Sequence, residues 1–165
     1  MRTVDLRSAP TPPLGPDDHL RGDAGPVIVM YGDYTCPHCA SAWARLAAEP
    51  ARVVYRHFAL SAKHPRAIPL AHAAEAAALQ DAFWPFHDDL MVDQGHVDDP
   101  HLWARAERLG LDVERFDADR RSPAVAERVR RDVTGALRAG VAASPALFCD
   151  GEPWPAAASA AAALP

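Results

Sequence analysis

Val27-Ile28-Val29-Met30-Tyr31-Gly32-Asp33-Tyr34-Thr35-Cys36-Pro37-His38-Cys39 is the stretch whose reading decides the fold. Its first five residues form an unbroken apolar run of strand length, the pattern of a strand covered on both faces. Gly32 to Thr35 supply a turn, and Ala40 to Ala48 read as helix, so both cysteines stand at a strand–turn–helix junction. Pro37 suits a first helical turn because its missing N–H would have no intrahelical partner there. A sulfur at a helix start meets free backbone N–H groups and the positive end of the helix dipole, which favour an anion. The thiolate is the form that attacks disulfides. With two residues between the sulfurs, Cys36 is expected to face outward and attack, while Cys39, one turn on, reaches back to resolve. His38 can place a positive charge or a hydrogen bond beside the thiolate. Cys36, Pro37, His38 and Cys39 are therefore the candidate catalytic residues, with Cys36 and Cys39 as a candidate redox-active disulfide.

Half of a zinc site is the bland alternative for C-x-x-C, and it needs a second pair of ligands at comparable spacing. Cys149 is the only other cysteine, and among the eight histidines only His96 and His101 approach such a pairing. The strand–turn–helix context favours redox chemistry, so neither a metal nor a cofactor is expected.

At 165 residues with 49 % hydrophobic content, the chain fits one domain around one core. Its formal charge of -5, with 17 basic residues scattered or paired with acids, argues against a nucleic-acid partner. No run approaches the roughly 20 apolar residues of a membrane span. Residues 1–25 hold Pro10, Pro12, Pro13 and Pro16 but no apolar stretch of the roughly 7–15 residues of a secretory signal. The expected location is cytoplasmic, or periplasmic or extracellular had a signal been trimmed.

Residues 1–25 read as a proline-rich arm with a short strand at Val4 to Leu6, and residues 26–60 as a βαβ half whose second strand is Val53 to Phe58. Residues 61–140 are helical by pattern. Ala71 to Gln80 are alanine-rich, and Phe83 to Met91 form a further piece. Asp99-Pro100 and Ser122-Pro123 look like a cap followed by a first-turn proline. Along the last of these helices Val125, Val129 and Val133 share a face, Glu127 is spaced to pair with Arg131, and the charges read as a solvated surface. Trp84, Phe86 and Trp103 read as core of this insertion, Met30 and Met91 as packing residues, and His57, His64 and His87 as locally bonded rather than proton donors to the dithiol. Residues 141–165 give a strand interrupted at Ser144-Pro145, a hairpin turn at Asp150-Gly151, a short strand at Trp154 and a terminal helix from Ala156 to Leu164. Together these make an α/β, thioredoxin-like fold with an all-helical subdomain inserted between its βαβ and ββα halves.

The sequence resembles the DsbA-like branch of the thioredoxin superfamily over residues 18–155. Asp18 to Gly22, Tyr31 to Cys39, Tyr55-Arg56-His57-Phe58, His64-Pro65, Phe83-Trp84-Pro85-Phe86-His87 and Gly140 to Phe148 carry the likeness. The resemblance implies a thiol–disulfide oxidoreductase with Cys36 as nucleophile and Cys39 as resolving cysteine. It implies also that Pro145 is a cis-proline and that Ser144 offers its backbone to a substrate peptide by strand addition. Implied partners are protein, peptide or small-molecule disulfides and thiols, and a redox partner. Family members often carry a buried acid six residues before the nucleophile, where this chain has Met30. Two alternatives share the fold: a glutathione-using transferase or isomerase like the kappa class, which typically has a serine-containing site, and a non-catalytic, chaperone-like binding module. Cys149, four residues beyond Pro145 along an extended strand, is expected about 13 Å away and outside bridging range of the dithiol.

Overall fold

A computed structural model describes residues 7–154. The apolar run becomes β2 (Val27–Gly32), and the crossover through α1 (Pro37–Leu46) returns the chain to β3 (Arg52–His57), parallel to β2 with Val27 opposite Arg52 and Gly32 opposite His57. β4 (Ala146–Cys149) pairs antiparallel with the other side of β2, and β5 (Glu152–Trp154) closes a hairpin on β4. The Asp150-Gly151 turn uses positive φ at both residues, the geometry Asp-Gly supplies most readily. Between β3 and β4 lie α2 (Ala67–Ala78), α3 (Phe83–Val92), α4 (Asp99–Arg108), α5 (Val113–Asp119) and α6 (Pro123–Arg138). The helical insertion within a thioredoxin-like fold is thus present, and the expected helix from Ala156 to Leu164 and strand at Val4 to Leu6 lie outside the described residues.

Alternation along β2 divides the core. Ile28 and Met30 pack with Tyr55, Leu147, Trp43 and the helices α1 to α4, whereas Val29 and Tyr31 pack with Val54, Phe148 and the end of α6 at Ala136 and Ala139. A strand covered by helices on both faces has no polar side, which is why its sequence shows no alternation.

Several local expectations need correction. β1 (His19–Arg21), antiparallel to β3, is a sheet strand inside the proline-rich arm. Three residues with no apolar alternation left no pattern to read, and the strand is held by what lies around it. The Arg21 guanidinium forks onto Asp88 at 2.6 and 3.1 Å and lies 4.4 Å from the centre of the Trp84 ring, which stacks on Trp43. The cap of α4 is Asp98, which accepts from the His101 amide, so Pro100 sits one position later than expected. Trp103 is 37 % exposed and donates to Asp117 at 2.7 Å, so it belongs to the surface. On α6, Glu127 pairs with Arg130, and Arg131 reaches Asp17 at 3.1 Å instead. The charges of α6 are not all solvated: Asp132 is buried and accepts from the His57 amide at 3.0 Å, satisfying a backbone group at the end of β3.

Arg56 anchors the arm. Its buried guanidinium donates to Asp18 twice at 2.8 Å, to the Pro12 and Pro13 carbonyls at 2.8 and 3.0 Å, and to the Tyr31 hydroxyl at 3.2 Å. Prolines lack an N–H but keep their carbonyls, so the arm can solvate a buried cation. Burial works to raise the Asp18 pKa, but the Arg56 bonds and the Gly15 amide outweigh it and hold this carboxyl below its usual value. A depressed carboxylate contributes stability that is fully present above its unfolded pKa and fades as pH falls through the folded value. Asp18→Ala should therefore cost about 3 kcal/mol at pH 7, since it strands a buried charge. In urea unfolding the gap to the wild type should shrink once pH falls below about 4; a gap under about 0.5 kcal/mol at pH 7 would count against the anchor.

Candidate active site

The turn Gly32 to Thr35 delivers the chain from the carboxyl end of β2 into α1. The Asp33 carboxylate accepts from the Thr35 amide and hydroxyl, both at 2.8 Å, and the Cys36 amide donates to the Asp33 carbonyl at 3.1 Å. That closes the turn and makes Cys36 the extended N-cap of α1 (φ -97, ψ 114), with Pro37 opening the helix. The Cys36 carbonyl takes the Cys39 and Ala40 amides at 3.0 and 3.2 Å and the Gln94 side-chain amide at 3.0 Å.

The two sulfurs occupy different environments. Cys36 is half-buried, and its thiol points at the Ser144 carbonyl 3.7 Å away. Cys39 is wholly buried, with its sulfur accepting from the Asp33 amide at 3.4 Å. Burial, followed by the neighbouring Cys36, pushes the Cys39 thiol up to about 12, with the Asp33 amide working in the opposite direction. Met30, six residues before Cys36, is fully buried as an apolar packing residue and brings no carboxylate. Asp33 is nearer in sequence, and one oxygen of its carboxylate serves the Thr35 amide and hydroxyl. Pro37 and His38 stand exposed on the first turn of α1. Ser144 and Pro145 are half-buried, and the peptide bond between them is cis.

Cys149 ends β4 opposite Ile28, while Ala146, next to Pro145, sits opposite Tyr31, so the third cysteine lies at the far end of the strand. All three cysteines are free thiols. His64 is exposed and its Nδ1 accepts from the Arg66 amide, His87 is buried against the Tyr34 hydroxyl at 2.8 Å, and His57 meets Glu75 at 2.7 Å. His96 on the α3–α4 connection turns to Asp93 and His101 in the first turn of α4 to Asp98, both exposed, and the described residues hold no group of three or more side chains that could hold a metal ion. Two contributors escaped the sequence reading. Gln94 carried no signal. Glu75 did carry one: it is a lone acid within the alanines of α2, on a face the helix buries.

The family model of the DSBA-like thioredoxin domain matches residues 27–163. The chain belongs to this family. Among solved structures it is similar to a thioredoxin-like oxidoreductase from Silicibacter pomeroyi, at 26 % identity and TM-score 0.75 over 86 % of this chain and 84 % of that one. It shares its fold with BdbD from Bacillus subtilis, at 18 % identity and TM-score 0.76 over 92 % and 90 % of the two chains. Among curated proteins it is 43 % identical over 159 residues to the Na(+)/H(+) antiporter NhaA of Herminiimonas arsenicoxydans, covering 91 % of this chain and 25 % of that protein. It is 42 % identical over 156 residues to the Na(+)/H(+) antiporter NhaA 1 of Salinispora arenicola, covering 84 % and 22 %. The chain spans about a quarter of the length of the curated relatives it matches.

The difference between the sulfurs has a direct readout. In the reduced native protein, iodoacetamide at pH 8 should label Cys36 at least about tenfold faster than Cys39, because alkylation needs an accessible thiolate. Mass-spectrometric mapping of the alkylated peptides measures this, and equal labelling of the two would contradict the assignment.

Proposed function

We propose that this DSBA-like protein is a thiol–disulfide oxidoreductase that works through Cys36 and Cys39. The observation that carries the reading is the pairing of an accessible sulfur at the N-cap of α1 with a buried one a turn further on. The Cys36 thiolate attacks one sulfur of a substrate disulfide, and the other substrate sulfur leaves as a thiolate. The mixed disulfide then meets Cys39, whose proton departs as its sulfur bonds to Cys36 Sγ and the second substrate sulfur is released. The cysteine pair loses two electrons and the substrate disulfide gains them; the same steps in reverse oxidise a substrate dithiol.

Ser144 sets the substrate class. Its carbonyl faces Cys36 Sγ at 3.7 Å, in line to accept a backbone N–H from an extended peptide laid beside the dithiol. This supports protein and peptide substrates, with Pro37 and His38 as the exposed ground the peptide crosses. No helix of the described residues is long and apolar enough to cross a membrane. We infer that the quarter of each antiporter-named relative that matches this chain is its thioredoxin-like part.

Incubation with an oxidised peptide separates the two roles. Cys39→Ser should accumulate a mixed disulfide with the peptide, Cys36→Ser should trap none, and Cys149→Ala should keep the exchange rate within about twofold of wild type. Equal trapping by the Cys36 and Cys39 variants would reverse the assignment.

A further inference from the structure

As the N-cap of α1, Cys36 does not use its side chain in the ordinary way. An N-cap side chain usually accepts a backbone N–H from the first turn of its helix, whereas the Cys36 thiol makes no such bond and points at the Ser144 carbonyl. The sulfur is therefore aimed through its backbone, which is held at both ends. The Cys36 amide donates to the Asp33 carbonyl, and the Cys36 carbonyl accepts from the Cys39 and Ala40 amides and from Gln94 Nε2, the last at 3.0 Å. The two amides belong to any helix start. Gln94 comes from the α3–α4 connection, 58 residues along the chain.

That connection has no regular structure, yet two arginines hold it on either side of Gln94. Arg105 of α4 is buried, and its guanidinium donates to the Asp93 carbonyl at 2.7 Å, to the His96 carbonyl at 2.6 Å and to the Asp89 carboxylate at 2.5 Å. Arg66 donates to the Val97 carbonyl from two nitrogens, at 2.6 and 2.9 Å, and to the Asp99 carboxylate at 2.9 Å. The Asp93 carboxylate closes the segment on itself, accepting from the Gly95 amide at 3.3 Å and meeting His96 Nδ1 at 2.9 Å. Gln94 is half-buried between these ties, and its bond to Cys36 is the only hydrogen bond of its side chain among the described residues. A pinned segment thus aims a single carboxamide at the backbone of the nucleophile.

The bond acts on charge as well as on direction. Only the carbonyl carbon, Cα and Cβ separate the Cys36 carbonyl oxygen from Sγ, and the partial negative charge of that oxygen opposes a negative charge on the sulfur. A donor on the oxygen offsets this opposition, and the offset counts most when the sulfur is an anion. In the disulfide the sulfur is uncharged and the gain is absent.

We propose that Gln94 is a positioning residue of the dithiol: through the Cys36 carbonyl it fixes the direction of the sulfur and favours the reduced, thiolate form over the disulfide, making the pair a stronger oxidant. The proposal rests on the oxidoreductase reading above and names a residue that tunes that same site. The couple it shifts is a two-electron one. Two glutathione thiols give up two electrons and join as glutathione disulfide, the Cys36–Cys39 bond breaks, Cys39 keeps a proton as a thiol, Cys36 is left as a thiolate and one proton goes to solvent.

Equilibration with glutathione at pH 7, acid quenching and peptide mass mapping give the constant for reduction of the Cys36–Cys39 disulfide, measured in a Cys149→Ala background. Gln94→Met keeps the length of the side chain and loses the donor, and it should lower that constant at least about threefold. Gln94→Lys keeps a donor and adds a positive charge, and it should hold the constant at or above the parent value. A merely structural tie would lower stability in urea without moving the constant. An unchanged constant in Gln94→Met, or an equal fall in Gln94→Met and Gln94→Lys, overturns the proposal. Failure of the oxidoreductase reading looks different, since the parent protein would then form no reversible Cys36–Cys39 bond, and the role of Gln94 would fall with it.

Discussion

Withdrawal of the Cys39 sulfur from water is the constraint around which this end of the molecule is organised. The residue is wholly buried, its sulfur held from β2's end by the Asp33 amide, and it belongs to the larger core with Met30, Tyr34, Tyr55 and Trp43. An apolar pocket disfavours the thiolate, so in the proposed mechanism Cys39 stays inert until Cys36 presents it with a disulfide. Cys36, one turn earlier, is left at the protein surface. The proposed order of attack and resolution matches this packing: the same helix turn leaves one sulfur accessible and buries the other.

The sheet makes that turn rigid and furnishes it. β2 is central, in the order β1-β3-β2-β4-β5, so its carboxyl end is flanked by β3 on one side and the start of β4 on the other. The approach to β4 brings the Ser144 carbonyl against Cys36, and β3 runs beside β2 with His57 opposite Gly32. Gly32 joins these two halves, because any side chain there would collide with Tyr55. On the opposite face, the Arg56 cluster ties the proline-rich arm to β3, and Arg128 donates to the Asp17 carbonyl of the arm while pairing with both Asp132 and Glu75. The anchor of the arm and the Glu75 cluster with His19 and His57 are thus neighbours in one charged network.

Much of this was legible in the residues. The unbroken run Val27 to Tyr31, the Cys-Pro-His-Cys motif and the Asp150-Gly151 turn each have one dominant local solution, and the chain adopts it. The Ser122 cap is of the same kind, its hydroxyl accepting from the Val125 amide. What escaped depended on distant partners. β1 is a strand because of Asp88, Trp84 and β3, none of which is near it in sequence. Asp132 looked like one more solvated charge on α6, since nothing local says that a strand amide requires it. Glu75 was the nearest to readable, an acid on the buried face of an alanine-rich helix, yet its meaning comes from His19 and His57, which lie 56 and 18 residues away.

Equilibration of the protein in a series of glutathione redox buffers, followed by acid quenching and peptide mass mapping, tests the central claim most directly. The account predicts one reversible two-electron transition in which the peptide carrying Cys36 and Cys39 loses two hydrogens while Cys149 stays a free thiol. A dithiol that forms no reversible Cys36–Cys39 bond across the series, or a bond that includes Cys149 in folded monomer, would contradict it.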